Sequence, residues 1–318
     1  MTDPRQAWSE LRRNFLLQLY RDLGGEAFRR TLFLSFLGAR ICYAESPPLS
    51  LFAEERFRDP EKLRSFFLRL KASGHASVFA HSPLTVRPKE LSADLLSALY
   101  KAWYDPATGA LQLNLRHFAE SLTDEEFAAL IAAGIEDRSF TEFPALRWEG
   151  WPLKRVYVGP LSGLLPRFER PEPEEGLFSL PAVTVIQLPA EEPFGWLAVI
   201  VEGFSRLFSH QFVRHTWLNF NQRSHRYTSV DQFVLPPAFE DHREVYAAEI
   251  RRAMEAYRRL VASGLRKEDA RFITPQGAAT TVLATGPLFV WRDFVEKRAH
   301  PKAQWEIRHL AETLREVL

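Results

Sequence analysis

The stretch Gln211-Phe212-Val213-Arg214-His215-Thr216-Trp217-Leu218-Asn219-Phe220-Asn221-Gln222-Arg223-Ser224-His225-Arg226-Tyr227 is denser in recognition chemistry than any other part of the chain. Its 17 residues include three Arg, two His, two Asn, two Gln, a Ser and a Tyr, and no carboxylate. A solvated loop ordinarily mixes acids among its bases, and Trp217, Phe220 and Tyr227 would be poorly placed in water. Guanidinium groups in a partly apolar frame need partners, so donors without acids predict a bound anion. The Asn and Gln side chains add paired donors and acceptors of the kind that reads a nucleobase edge.

The rest of the chain must supply the frame for that stretch. At ~150 residues per domain, 318 residues correspond to two domains or one elaborated domain. With 46% hydrophobic and 25% charged residues the chain can bury a sizeable core, which excludes a disordered protein. Lys plus Arg number 41 against 40 Asp plus Glu, so no global field argues for duplex nucleic acid or an anionic membrane. Arg makes up 33 of the 41 bases, and its planar fork suits phosphate and carboxylate. The single Cys42 excludes an internal disulfide framework and a Cys-based zinc site. Charges at Asp3, Arg5, Glu10, Arg12 and Arg13 interrupt any signal-peptide pattern. Phe272–Trp291 lacks charge, but Pro275, Gly277, Gly286 and Pro287 would break a spanning helix. A soluble, cytoplasmic protein without membrane or nucleic-acid partners is expected.

Residues 1–37 read as an accessory helical segment, with Leu11, Phe15, Leu16, Leu19 and Leu23 near helical spacing and Gly24-Gly25 as a stop. Pro60 predicts a helix over 61–72, and Leu84–Val86 a short strand. Residues 88–181 have the texture of an inserted, largely helical subdomain. Helices are expected near 93–103 and 124–133, the second with a Thr123/Glu126 capping box, before a Pro-rich connector with the acidic run Glu172–Glu175. A strand over Ala182–Leu188 follows, then an apolar helix from Pro193 to about Phe212. Amphipathic helices are predicted over 241–263 and 301–317. The class is α+β, helix-rich with a central sheet.

The 211–227 stretch resembles the signature of the flavin-dependent thymidylate synthases: Arg-His-Arg, two residues, Ser, one residue, Asn, two residues, Ser, one residue, Arg-Tyr. Arg214, His215, Asn221, Ser224, Arg226 and Tyr227 match it, while Thr216 and Asn219 replace its second Arg and first Ser. Two further stretches are similar to the family. Ala270–Pro275, Arg298 and Ala303–Arg308 resemble its C-terminal region; Ala39–Tyr43, Gly74–Phe79 and His81 resemble its N-terminal portion. The resemblance covers roughly 38–87 and 182–318. It implies the thymidylate synthase-complementing-protein-like fold, with 88–181 as an insertion.

What the resemblance implies about chemistry is specific. The family methylates dUMP at carbon 5, with methylenetetrahydrofolate as carbon donor, NADPH as reductant and tightly bound FAD, in a homotetramer with shared active sites. Arg298 would be the catalytic residue that stabilises an electron-rich uracil. Gln211, Arg214, Gln222, Arg223, Ser224, Arg226, Arg271 and Arg298 would bind substrate. His75, Ser77, Arg214, His215, Thr216, Asn221, Gln222 and Asp293 would bind the cofactor. The sequence departs from the family at Ala80, Thr216, Gln222, Pro287, Phe289 and Asp293, all toward the flavin, and Cys42 stands where Ser is common. An Asp near an anionic flavin is electrostatically unfavourable.

Two alternatives stand beside this reading. One is a divergent nucleotide- or flavin-binding relative with altered or lost synthase activity. The other is a single-stranded nucleic-acid-binding module that stacks bases on Trp217, Phe220 and Tyr227. No metal is expected: His215 and His225 are ten residues apart with no ligand spacing around them. Neither Gly-x-Ser-x-Gly nor Gly-x-Gly-x-x-Gly occurs.

Overall fold

The computed structural model describes residues 4–24, 27–135, 139–168, 176–188 and 191–318. The Pro-rich acidic run Glu172–Glu175 and Gly25 of the N-terminal stop lie outside the described residues. Among the described residues, nine strands form two sheets. In the small antiparallel sheet, β3 (Ala110–Asn114) lies between β1 (Pro83–Val86) and β2 (Trp103–Asp105). The six-stranded antiparallel sheet has the order β5 (Lys154–Pro160), β4 (Pro144–Glu149), β6 (Ala182–Leu188), β7 (Trp196–Ser205), β9 (Ala279–Gly286), β8 (Asn219–Gln222).

The period-2 alternation of the central strands divides the core in two. Ile186, Leu188, Ala198, Ile200 and Leu283 face a layer of N-terminal helices that includes Leu32–Tyr43, Pro60–Ala72 and Asp124–Ile135. Val183, Val185, Leu197, Val199, Val201, Val282 and Ala284 face the helices Arg206–Phe212, Leu288–Arg298 and Trp305–Arg315. The long helix Arg243–Ala262 closes a smaller cluster with Val230, Phe233 and Ala278 through Ile250, Met254 and Tyr257.

Local chemistry accounts for most element ends. Asp59 caps Pro60–Ala72 by accepting from the amides of Glu61 and Lys62, with Pro60 at the first helical position. Thr123 and Glu126 exchange the two bonds of a capping box. Leu32–Tyr43 buries nine of its twelve residues and packs against β8 and β9, so this helix, which begins within the segment read as accessory, is central.

Two expectations fail. The apolar helix from Pro193 is instead β7 followed by a short helix, Arg206–Phe212, capped by Ser205. A continuous apolar run reads equally as a buried strand or helix, and β-branched Val199, Ile200 and Val201 favour the strand. Gly203, at φ +71, marks the bulge where β7 slips register against β9; a Cβ there would fall 2.7 Å from the Leu180 carbonyl oxygen. The helix expected over 93–103 ends at Ala98, because Trp103–Asp105 pairs with β3. Among the described residues, 88–181 also carries four strands beside its helices, and two of them extend the central sheet.

Candidate active site

The 211–227 stretch starts at the end of the Arg206–Phe212 helix, turns through Val213–Leu218, and enters edge strand β8. The turn is closed by His215 N–H donating to the Phe212 carbonyl and Leu218 N–H donating to that of His215. Beside it runs Leu288–Arg298, started by Pro287. Arg214, His215, Thr216 and Trp217 from the turn, with Asp293, Lys297 and Arg298 from the helix, line a cavity of about 430 Å³.

Within it, Arg298 Nε–H donates to His215 Nε2 at 2.7 Å. An imidazole that accepts from a cation must be neutral, and burial together with Arg298 and Lys297 brings the His215 pKa down to about 4. Burial and neighbouring Arg214 also lower the pKa of Arg298, though a guanidinium stays charged. Asp293 is held by Lys297 at 2.7 Å, so the carboxylate that the sequence places against an anion is already neutralised. The cavity therefore keeps two unopposed guanidinium groups, with Thr216 open to solvent beside them.

Residues of the 88–181 segment pack against the turn that lines the cavity. Trp103 of β2 packs edge-on against Trp217 and Phe289, at 5.3 and 4.9 Å between ring centroids. Lys101, in a left-handed conformation at φ 57, donates from Nζ to the Leu218 carbonyl at 2.8 Å. Burial lowers its pKa to about 8. Sequence reasoning missed both residues, since no motif or spacing connects positions 101–103 with 217–218.

Behind β8 is a neutral network. His81 donates from Nε2 to Asn221 Oδ1 at 2.6 Å and accepts at Nδ1 from Thr285 Oγ1 at 2.9 Å, which fixes one tautomer. Asn221 Nδ2 reaches Cys42 Sγ at 3.1 Å, and Gln222 Nε2 donates to Thr280 Oγ1 at 3.0 Å. Asn221 is thus buried structure within this chain and presents no polar group to the cavity. Burial raises the pKa of the Cys42 thiol, which removes it as a nucleophile.

Past β8 a second basic group gathers. Arg223 donates through Nη2 to the carbonyls of Glu45 and Ser46, while its Nε is buried without a partner. Arg226 is paired with Glu268 at 2.6 Å, and Arg271 donates Nε–H to the Glu268 carbonyl at 3.2 Å. Ser224 binds the Cys42 carbonyl through its amide. Gln211 sits half-buried at the helix end. His75 and Ser77 lie on the surface, with His75 bonded to Tyr43 and Ser73. The four residues of β8, about 13 Å of strand at ~3.3 Å per residue, stand between the cavity's turn residues and Arg223 along the chain. Among the described residues no group of three or more His, Cys, Asp or Glu could hold a metal, and no helix is long and apolar enough to cross a membrane.

Residues 197–318 match the family model described as thymidylate synthase complementing protein, a span that contains both basic groups. The similarity is confined to this C-terminal part of the chain. Flavin-dependent thymidylate synthases are its relatives: one from Geobacter sulfurreducens is 41% identical over 118 residues, 35% of this chain and 51% of the relative. Another, from Thermococcus onnurineus, is 36% identical over 124 residues, 36% of this chain and 51% of the relative. The chain thus spans about half the length of the curated relatives it matches. A solved UMP/dUMP methylase from Streptomyces cacaoi, bound with 5-Br dUMP, is 25% identical, covers 40% of this chain and 68% of its own, and has a TM-score of 0.36. The family match begins at the second residue of β7 and includes the edge strand, the cavity helix and Arg298.

Proposed function

We propose that this protein is a flavin-dependent enzyme that methylates dUMP at carbon 5 to give dTMP, with methylenetetrahydrofolate as carbon donor and NADPH as reductant. The observation that carries this reading is the Arg298 guanidinium, held by a neutral imidazole at 2.7 Å inside a cavity with no free carboxylate. A fixed cation at that place lowers the energy of a uracil ring carrying developing negative charge, and its bond to His215 orients it without discharging it. Arg214 adds a second charge. The phosphate would be met by Ser224, Arg223, Arg226 and Arg271. The strand β8 stands between these residues and the cavity's turn, and a homotetramer in which neighbouring copies share sites would complete the arrangement.

The cavity's donor set fits a flavin nucleotide. Arg214, His215 and Thr216 would hold its diphosphate, with Asp293 withdrawn by Lys297 and exposed Trp217 at the rim. When bound, the flavin supplies the reducing equivalents for methyl formation. The chain's own part is to bind and orient the nucleotide, exclude acids from the anion's surroundings, and keep Arg298 charged.

The test is protein loaded with FAD and given dUMP, NADPH and methylenetetrahydrofolate, with dTMP followed by chromatography. Formation of dTMP by wild type and its loss in Arg298→Ala is expected. One observation favours a second reading, a divergent relative that binds nucleotide without making dTMP: Phe289, one of the departures from the family, packs edge-on against Trp103 at 4.9 Å. Binding of dUMP with no dTMP under any loading would favour that second reading.

A further inference from the structure

Four basic side chains meet at the start of β9. The amide of Arg206 donates to the Ala278 carbonyl, at the point where Ser205 pairs with Ala279. His225 is 6% exposed and its Nε2 is buried with no hydrogen-bond partner. Arg223 enters from β8, where its amide binds the Thr281 carbonyl, and its Nε is likewise buried and unpartnered. Arg271 stands eight residues before β9 with only its Nε bonded, to a backbone carbonyl. Arg206 has no side-chain hydrogen bond or ion pair among the described residues, although it is half-buried. The charges that act on His225 itself are Arg206, Arg223 and Arg271, all of one sign; acids reach the group at its edges, Glu202, Glu45 and Asp231 acting on Arg223 and Glu268 on Arg271. Arg206 and Arg271 also oppose each other.

Such a concentration is unfavourable in the free chain. The half-buried Arg206 guanidinium, without an acceptor, loses hydration and gains nothing in return, and repulsion among the four groups is little screened. A dianion placed among them reverses every one of these terms, with charge-assisted bonds from several forks at once. We propose that Arg206 and His225 are phosphate-binding residues, closing with Arg223 and Arg271 around the 5′-monophosphate of the nucleotide. This rests on the nucleotide reading above and adds to it two side chains that the family resemblance does not point to. It also gives the orphaned Nε2 of His225 its partner. Arg226, by contrast, is engaged with Glu268 on the outer side and plays a secondary part.

Calorimetric titration of the full chain with dUMP, deoxyuridine and inorganic phosphate tests the assignment. In wild type, dUMP binds and inorganic phosphate competes with it. Arg206→Gln is expected to weaken dUMP about tenfold or more while leaving deoxyuridine unchanged. Arg206→Lys should recover part of the loss, since it restores charge without the fork. His225→Asn should give a smaller, several-fold loss. Wild-type affinity for dUMP in Arg206→Gln, at an unchanged melting temperature, overturns the proposal, as does failure of wild type to bind either phosphate or dUMP. If inorganic phosphate binds, is lost in Arg206→Gln, and dUMP binds no better than phosphate, the anion site stands and the uracil reading falls.

Discussion

His215 accepts a hydrogen bond from Arg298, and therefore carries its own proton on Nδ1. The pair is a directed one: the imidazole aims the guanidinium plane, and the guanidinium keeps the imidazole neutral. Arg298→Lys retains a positive charge but loses the Nε–H that His215 receives. It is expected to lower kcat for dTMP formation about a hundredfold or more, with a smaller change in KM, because orientation matters most when charge develops. Steady-state kinetics separate the two. An equal fall of kcat in His215→Ala would show that aiming, and not charge alone, is what the pair provides.

Stability is expected to fall as pH drops from about 6.5 to about 4. His81, His215 and His225 all have pKa values lowered to about 4, each chiefly by burial. Each is neutral when folded and takes up a proton near pH 6.5 once unfolded, so acid favours the unfolded chain across that window. His81, fully buried, contributes on the order of 3 kcal/mol at the lower end. Glu191 and Glu306, whose pKa values burial raises, act in the opposite sense and soften the slope. Urea midpoints measured at pH 7 and pH 5 should differ in this direction, and a flat profile would contradict the assignment of neutral histidines.

Gly38→Ala should be disproportionately damaging for so small a change. A Cβ at Gly38 would lie 2.4 Å from Cδ2 of His81, and that ring is fixed by Asn221 and Thr285. Displacing it breaks both bonds behind β8, at a cost of about 1–3 kcal/mol or more. Thermal unfolding measures the loss. Melting at the wild-type temperature would mean the ring has room that the geometry denies.

Glu268→Gln is expected to have little effect on stability, since the Arg226–Glu268 pair is open to water. Its effect should appear in ligand affinity. Freed from its carboxylate, Arg226 becomes available to a nucleotide phosphate, so dUMP should bind several-fold more tightly. Fluorescence or calorimetric titration reads this directly, and weaker binding would place Glu268 on the ligand's side of the balance.

Much of the fold was legible because its signals are local. Pro60, Asp59, Thr123 and Glu126 mark helix starts through their own side-chain bonds, and the heptad-like stripe from Ile250 to Tyr257 needs no tertiary context. The run from Trp196 to Val201 misleads because a strand buried on both faces lacks alternation. At the site, the basic stretch signals an anion by its missing acids, yet pairing decides which cations remain available. Lys297 neutralises Asp293 from one helical turn away, and Glu268 engages Arg226 from 42 residues away; only the first spacing can be read along a chain. Trp103 and Lys101 reach the turn at Trp217 and Leu218 from a segment whose sequence carries no mark of it.

The hydrogen bonds that join β4 to β6 give the insertion a second consequence. Excising 88–181 to obtain a minimal enzyme would strip two strands from the six-stranded ladder and leave Ala182–Leu188 as a bare, apolar border. Such a margin invites strand-to-strand aggregation. The shortened chain is therefore expected to precipitate rather than to simplify, and any trimming that spares solubility must stop short of Pro144.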